Sequence, residues 1–314
     1  MKKIIGQLAL LLVLVSCTRG DITISKPMVF TAVTEGSLVD GSSRVTLTGT
    51  ALSWDIGDQI RVASLPVGGV YSVDGYFEST SGGSATTTFT HVSGDPLTST
   101  ISNYVAAYPG QCVNMSGDPY YWYEKNVVYL GIGIKMRQRY IAGSIDSHAF
   151  PMIAYGTSTN LLFKNVSALL CFKVTSSVDF ILDSIAYMNA DYDPFTNYQY
   201  YVNESDSVWM SYNFQTNTLY YKNGSYIRGG KILVGINEPL GTISKDFYIC
   251  ITPTRFLSTD VTYNKFYMKR IRLWGHKSDG TPVIKTFNNT STTIMDIDRS
   301  TITNVTLNVT GYDP

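Results

Sequence analysis

Short runs of β-branched and aromatic residues, each bounded by Gly, Pro, Asn, Asp or Ser, recur along most of this 314-residue chain. Such runs favour strands, and the residues between them favour tight turns. Thr303, Val305, Leu307 and Val309 alternate as the residues of one strand face do, and Asn223-Gly224 is a strong hairpin signal. Helical periodicity is not convincing in any long stretch. The sequence therefore predicts an all-β fold built from β-sandwiches.

The length of the chain suits two domains of about 150 residues each. Apolar residues at both alternating sets of positions in 168–174 predict a central strand, with Ala168, Leu170, Phe172 and Val174 on one face. The strand pattern restarts near residue 160. We therefore expect an N-terminal β-sandwich domain over residues 27–158 and a C-terminal β-sandwich domain over residues 159–314.

The first residues have the form of an export signal. Lys2 and Lys3 precede an apolar run over 4–15, which is shorter than the roughly 20 residues that a membrane-spanning helix needs. Leu14-Val15-Ser16-Cys17 also has the form of a bacterial lipobox, which predicts a signal peptide over 1–16, lipidation of Cys17 and a polar tether over 17–26. The alternative is an ordinary signal peptide in which Cys17 is incidental.

Signals for catalysis are weak. His91, His148 and His276 are isolated in the sequence, and metal-binding HExxH spacing, a G-x-S-x-G elbow, a G-x-G-x-x-G motif and a P-loop are all missing. Asn189, Asp191 and Asp193 alternate like calcium ligands, but Pro194 stands where an EF-hand needs Gly. We therefore expect a protein that is not an enzyme, with no metal and no cofactor beyond a covalent lipid on Cys17.

The remaining cysteines and the overall charge limit the possible partners. The mature chain has too few cysteines for a disulfide framework, namely Cys112, Cys171 and Cys250. The last two lie in apolar runs that predict burial, and the alternative is that two of the three form one disulfide. Charged residues make up 15% of the chain and the formal net charge is zero. Since nucleic-acid binding calls for a basic patch, a nucleic acid is not an expected partner.

Aromatic clusters are the best candidates for ligand contact. Tyr and Trp give large contact areas at low entropy cost, so they suit adhesive surfaces and stacking on sugar rings. The residues that we select are in the loop over 192–201, namely Tyr192, Tyr198, Tyr200 and Tyr201. The alternative is that these tyrosines form ordinary cross-strand pairs.

Several stretches together resemble the Bacteroidales fimbrillin family, the subunits of type V pili. The stretches, in chain order, are Val29-Phe30-Thr31-Ala32, Ser43-Arg44-Val45-Thr46-Leu47, Ser53-Trp54-Asp55-Ile56-Gly57-Asp58-Gln59-Ile60-Arg61-Val62, Tyr104-Val105-Ala106-Ala107-Tyr108-Pro109, Pro151-Met152-Ile153-Ala154, Leu162-Phe163-Lys164-Asn165, 168–174 and 297–307. The resemblance brackets nearly the whole chain after the signal, while 111–148 and 189–230 show nothing diagnostic.

The resemblance implies two tandem transthyretin-like β-sandwich domains and a lipoprotein precursor that reaches the outer membrane. It also implies that an arginine-specific surface protease removes the tether and the first strand, here 29–33. The removal opens a groove in the subunit, and a strand of a neighbouring subunit fills that groove. The matching cleavage site is the bond between Arg44 and Val45, which follows the loop-like 40–43. The donor strand is expected around 303–309. Alternatively, Arg44 is an ordinary surface arginine of a hairpin.

The function expected from the sequence is therefore a structural or adhesive subunit of a cell-surface fimbria, with neighbouring subunits, the protease, the outer membrane and a host glycan or protein as partners. The alternative is a monomeric outer-membrane lipoprotein that binds a glycan or host ligand through its aromatic loops. The stalk, anchor and tip roles are not separated by the sequence.

Overall fold

A computed structural model describes residues 28–34, 46–48, 51–65, 74–97, 103–110, 123–124, 127–188, 205–213, 218–221, 230–251, 253, 268, 270–289, 297 and 299–314. Within these residues the regular structure consists of strands and one short 3₁₀ helix, Ser147–Ala149, so the all-β prediction is confirmed. No helix in the described part of the chain is long and apolar enough to cross a membrane.

The strands in chain order are β1 Val29–Thr34, β2 Thr46–Thr48, β3 Ala51–Ser53, β4 Gln59–Leu65, β5 Asp74–Ser79, β6 Thr86–Gly94, β7 Asn103–Tyr108, β8 Tyr123–Glu124, β9 Val127–Lys135, β10 Arg137–Arg139, β11 Met152–Gly156, β12 Asn160–Asn165, β13 Ala168–Ser176, β14 Ile181–Met188, β15 Ser205–Asn213, β16 Thr218–Tyr221, β17 Lys231–Pro239, β18 Lys245–Ile251, β19 Arg270–His276, β20 Pro282–Asn288 and β21 Ile302–Val309.

Seven strands close into a barrel in the order β1-β12-β11-β7-β4-β5-β6. The predicted transthyretin-like sandwich is not confirmed for this region, because β1 joins β6 and β12 and so closes the sheet on itself. β12 belongs to this barrel, although the sequence analysis assigned its residues to the second domain. The division into domains at 158/159 stays a prediction.

The barrel interior is aromatic. Trp54 is fully buried and makes edge-on contacts with Phe89, Tyr108 and Phe163, at ring-centroid distances of 5.1, 5.4 and 5.2 Å. Edge-to-face pairs of this kind add stabilisation beyond the burial of apolar area. Ile56, two residues after Trp54, would share its face if the strand continued, but it is 73% exposed because the strand ends and the chain turns over 55–58.

A second core lies between two further sheets. One has five strands in the order β10-β17-β14-β19-β20, and the other has three in the order β18-β13-β21. The central position of β13 confirms the prediction for 168–174, and Leu170, Phe172 and Val174 are fully buried in this core. Cys171 and Cys250 are buried with free thiols, and Cys112 lies outside the described residues.

The side chain of Gln138 connects the two sheets at one side of this unit. Its amide Nε2 donates to the carbonyl of Cys250 at 2.6 Å, and its Oε1 accepts from the backbone N–H of Cys250 at 2.7 Å. Nε2 also donates to the carbonyl of Lys135 at 3.1 Å. Gln138 is 1% exposed, so these are buried hydrogen bonds to backbone groups of the outer strand β18.

The remaining described strands form a four-stranded sheet, β16-β15-β9-β8, and a two-stranded sheet, β2-β3.

Candidate functional site

The first strand of the barrel is the feature that relates most directly to the predicted strand exchange. In β1 the residues alternate, with Phe30, Ala32 and Thr34 buried and the residues between them more exposed. This period-2 pattern follows from the pleat of a strand, which directs successive side chains to opposite faces. β1 therefore presents one apolar side to the barrel core and one polar side outward.

Phe30 is the main apolar contact of β1. Its ring meets Phe77 at 4.8 Å and Tyr104 at 5.1 Å, both edge-on, and it is fully buried. Burial of a Phe side chain contributes roughly 1.5–3 kcal/mol from area alone. The hydroxyl of Tyr104 also donates to Sδ of Met28 at 3.6 Å. The barrel residues that contact β1 thus form an aromatic pocket.

β1 is held by backbone pairing on both of its sides. It runs antiparallel to β6, with Thr31 opposite Thr88, and parallel to β12, with Thr31 opposite Asn160. Loss of β1 would leave an edge on β6 and another on β12, with an apolar floor that includes Phe77. Unpaired strand edges beside an apolar groove are a binding site for another strand.

The strand predicted as donor is β21, and it is the outer strand of its three-stranded sheet. It runs parallel to β13. Leu307 and Val309 belong to the second core. Beyond β21 the chain crosses to the other sheet, where the backbone N–H of Asp313 donates to the carbonyl of Ile284 at 2.8 Å. β21 therefore carries the alternation that the prediction needs, and it packs on the second core.

A polar network lies beside the barrel core at the turn over 55–58. One carboxylate oxygen of Asp58 accepts from the backbone N–H of Asp55 at 2.6 Å, and the other accepts from the hydroxyl of Tyr108 at 3.1 Å. The backbone N–H of Asp58 donates to Oγ of Ser79 at 3.0 Å. Burial raises the pKa of Asp58 to about 6, against the lowering effect of these hydrogen bonds. Burial and the nearby Asp58 charge also raise the pKa of Tyr108 well above its ordinary value. The network fixes the turn that the resemblance singled out.

The residues predicted as sites all lie outside the described residues. These are Cys17 for lipidation, Arg44 and Val45 for cleavage, and Tyr192, Tyr198, Tyr200 and Tyr201 for ligand contact. They stay predictions. The described residue that precedes the tyrosines in the chain is Met188, the last residue of β14, which pairs with Arg270 of β19.

Histidines and acids show no catalytic arrangement in the part of the chain that the structure describes. Nδ1 of His276 contacts Oδ2 of Asp183 at 2.9 Å, where a β-bulge in β14 places Asp183, and His148 lies 3.8 Å from Asp146. Among the described residues, no group of three or more His, Cys, Asp and Glu could hold a metal ion. The absence of an enzyme activity stays a prediction.

Comparison with known proteins finds no matching family model and no matching curated protein. Solved structures do match over nearly the whole chain. A "putative cell adhesion protein" from Bacteroides ovatus matches at 13% identity and a TM-score of 0.46, covering 92% of this chain and 95% of that one. A "putative cell adhesion protein" from Bacteroides uniformis matches at 12% identity and a TM-score of 0.43, covering 91% and 94%.

A fimbrial assembly protein from Parabacteroides distasonis matches at 13% identity and a TM-score of 0.32, covering 89% of this chain and 90% of that chain. These descriptions agree with the resemblance found in the sequence.

Proposed function

We propose that this chain is a structural or adhesive subunit of a cell-surface fimbria, assembled by protease-triggered strand exchange. The observation that carries the proposal is the position of β1. This strand closes the barrel, and its buried face carries Phe30 and Ala32. Its backbone pairs with β6 on one side and with β12 on the other. A single excised strand would therefore convert a closed barrel into an open groove.

Export and processing complete the proposal. The precursor is lipidated on Cys17 and reaches the outer membrane, where an arginine-specific protease cuts between Arg44 and Val45. That bond follows β1 in the chain, so the cut separates β1 from the strands that remain. A strand of a neighbouring subunit, with the alternation of β21, then fills the groove and links the subunits head to tail.

In this proposal the two tandem transthyretin-like β-sandwich domains of the family correspond to the barrel and to the two-sheet unit. Two separate hydrophobic clusters support this division, one around Trp54 and Phe89 and the other around Phe172 and Leu273. Each cluster has its own set of strands, as domains that fold around separate cores do.

A reversible disulfide that ties β1 to β6 tests the proposal. Thr31 of β1 and Thr88 of β6 are direct cross-strand partners with partly exposed side chains. The Cβ atoms of these two residues are therefore expected to lie about 4.5–5.5 Å apart, which is close to the separation that a disulfide bridges. The variant Thr31→Cys/Thr88→Cys would be digested with an arginine-specific protease under oxidising and reducing conditions. The N-terminus would be read by mass spectrometry and the polymers by electrophoresis without heating.

The oxidised variant is expected to be cut after Arg44 but to stay monomeric, because the disulfide holds β1 in its seat. Reduction is expected to release β1 and restore high-mass species. The control is Arg61→Cys/Tyr76→Cys, a pair that joins β4 to β5 and leaves β1 free to depart. Equal polymerisation of the locked variant in the oxidised and reduced states would contradict strand exchange at β1.

A further inference from the structure

One strand edge of the two-sheet unit is open. β21 is the outer strand of its three-stranded sheet, and it pairs with β13 in a register that is unbroken over eight residue pairs. The edge of β21 that faces away from β13 pairs with no other strand in the part of the chain that the structure describes. An open edge of this length is a template for pairing with another chain.

The backbone of β21 divides its polar groups between two sides. The carbonyl of Thr301 accepts from the N–H of Leu169 at 2.9 Å, and the carbonyl of Val309 accepts from the N–H of Ser177 at 3.0 Å. Because alternate residues of a strand direct their N–H and C=O to opposite sides, the odd-numbered residues of β21 bond to β13 and the even-numbered residues face the open edge. Within the described residues, the backbone groups on this edge have no hydrogen-bond partner. They belong to Ile302, Asn304, Thr306 and Asn308.

The other outer strands of this unit are protected. β20 begins with Pro282, and the N–H of Asp313 covers part of its edge by donating to the carbonyl of Ile284 at 2.8 Å. β10 is only three residues long and carries two exposed arginines. The side chain of Gln138 caps β18 at Cys250. Devices of these kinds keep sheet edges from pairing with other chains, whereas β21 has eight residues with no proline, no charge and no bulge.

The sequence of β21 fits a second copy of itself. In an antiparallel pair about a two-fold axis at Val305, Ile302 of one copy lies opposite Asn308 of the other, and Asn304 lies opposite Thr306. All four outward residues then form hydrogen-bonded pairs, which gives about eight backbone hydrogen bonds. Like charges directly opposite each other would oppose such a pairing, but residues 300–311 carry no charge.

The side chains on the core side of β21 favour the same register. Leu307 is buried in the second core, and Val305 packs against that core while staying partly exposed. In the paired form the Val305 side chains of the two copies meet at the axis, and Leu307 of each copy lies opposite Thr303 of the other. Apolar and β-branched cross-strand pairs stabilise a sheet, so the apolar face would continue from one copy into the next.

We infer that the open edge of β21 pairs with the same edge of a second copy, so that the unprocessed protein forms a two-fold dimer. The two three-stranded sheets then become one six-stranded sheet in the order β18-β13-β21-β21-β13-β18. Gln138 covers the outer edge of β18 at Cys250 in each copy, which favours closure at two copies over further growth. The inference does not depend on strand exchange. It adds that β21 is held on both sides in the dimer, so the dimer must separate before β21 can be donated.

Cross-linking of the unprocessed protein tests the register. The axis places Val305 of the two copies in a non-hydrogen-bonded pair, with Cα atoms about 4.5 Å apart, which is within the range that a disulfide bridges. Val305→Cys is therefore expected to give a covalent dimer on oxidation, above the baseline of the unchanged protein with its native cysteines. The matched control is Asn308→Cys, because the two copies of this position lie about 20 Å apart in the same register. Equal cross-linking of the two variants would overturn the inference.

Sedimentation velocity of the unprocessed protein at several concentrations measures the association. Thr306→Pro is expected to weaken dimerisation about tenfold or more, because it removes an outward N–H from each copy and no hydrogen bond to β13. Asn304→Lys/Thr306→Lys is expected to be monomeric, since lysines would lie opposite lysines. Mixing it with Asn304→Glu/Thr306→Glu is expected to restore a dimer, because each lysine would then face a glutamate. Thermal melting of each variant would establish that the fold is retained.

Two sedimentation results would count against the dimer. An unchanged protein that is monomeric at every concentration would overturn the inference, and so would lysine and glutamate variants that stay monomeric when mixed. The association is measured on protein that retains β1, so a failure of strand exchange after cleavage leaves it unaffected. Conversely, a monomeric precursor that polymerises after cleavage would remove the dimer and leave the proposed function standing.

Discussion

Replacement of Gln138 by Met removes the amide that connects the two sheets while nearly preserving the shape of the side chain. The amide pairs with both backbone groups of Cys250, at 2.6 and 2.7 Å, in a fully buried position. After the substitution the N–H and carbonyl of Cys250 lose the two hydrogen bonds that Gln138 makes with them. Loss of a hydrogen-bond partner in a buried site costs about 1–3 kcal/mol, so the two losses together are expected to cost about 2–6 kcal/mol.

Urea denaturation followed by circular dichroism measures this loss. The control is Gln59→Met, because the amide of Gln59 contacts Glu78 at 3.0 Å in a part-buried position on the barrel. That change is expected to alter the free energy of unfolding by less than about 0.5 kcal/mol. A loss for Gln138→Met no larger than that of the control would refute the reasoning.

The variant Gln138→Glu gives a second test of the same contact. The carboxylate can still accept from the N–H of Cys250, but it cannot donate to the carbonyl of Cys250. At neutral pH it also places a negative charge against that carbonyl in a buried site, which is unfavourable. Protonation restores a donor, so the variant is expected to regain stability relative to the unchanged protein as the pH falls. A pH-independent difference between the two proteins would contradict this.

Three further changes test the packing and the electrostatics. Phe30→Ala is expected to lower the free energy of unfolding by about 3–5 kcal/mol, because it empties the aromatic seat of β1, and thermal melting would show the loss. Folding raises the pKa of Asp58 from 3.8 to about 6. Between these two values the folded state binds more protons than the unfolded state. The free energy of unfolding is therefore expected to fall by up to about 3 kcal/mol as the pH rises from 4 to 7. Urea unfolding at several pH values should show that fall weakened in Asp58→Asn, and an unchanged slope would contradict it. Gly275→Ala is expected to destabilise by about 1–3 kcal/mol, since its new Cβ would collide with the carbonyl of Ile181, whereas Gly241→Ala, with open space around it, should melt like the unchanged protein.

Local sequence patterns predicted the strands with strong alternation. The central strand expected over 168–174 agrees with β13, and the expected donor around 303–309 agrees with β21. β10 and β20 were missed, because one is only three residues long and the other begins with Pro282. A proline lowers the expectation of a strand but is tolerated at its first residue.

Closure of the barrel could not be read from local patterns. It depends on the parallel pairing of β1 with β12, which brings Thr31 opposite Asn160 across more than a hundred residues of chain. Alternation fixes which side of a strand faces a core, but it does not say which strands are neighbours. The same limit applies to the five-stranded sheet, in which β10 and β19 are connected only through the registers of β17 and β14.

The lining of the barrel was easier to predict than its closure. Ile60 and Val62 are spaced two residues apart in the sequence, as residues of one strand face are, and both are fully buried. Gln138 had no such signal, because a polar residue between two arginines is typical of an exposed segment. Its burial follows from the backbone of Cys250, which only the folded chain brings within reach.

The N-terminus of the protein on intact cells tests the central claim most directly. Mass spectrometry would be applied to material sheared from the surface and to the membranes that remain. The account predicts a chain that starts at Val45 in high-mass species that resist detergent, because β1 has been removed and replaced by a neighbouring strand. A chain that starts at a lipidated Cys17 and stays a membrane-bound monomer would contradict the assembly account.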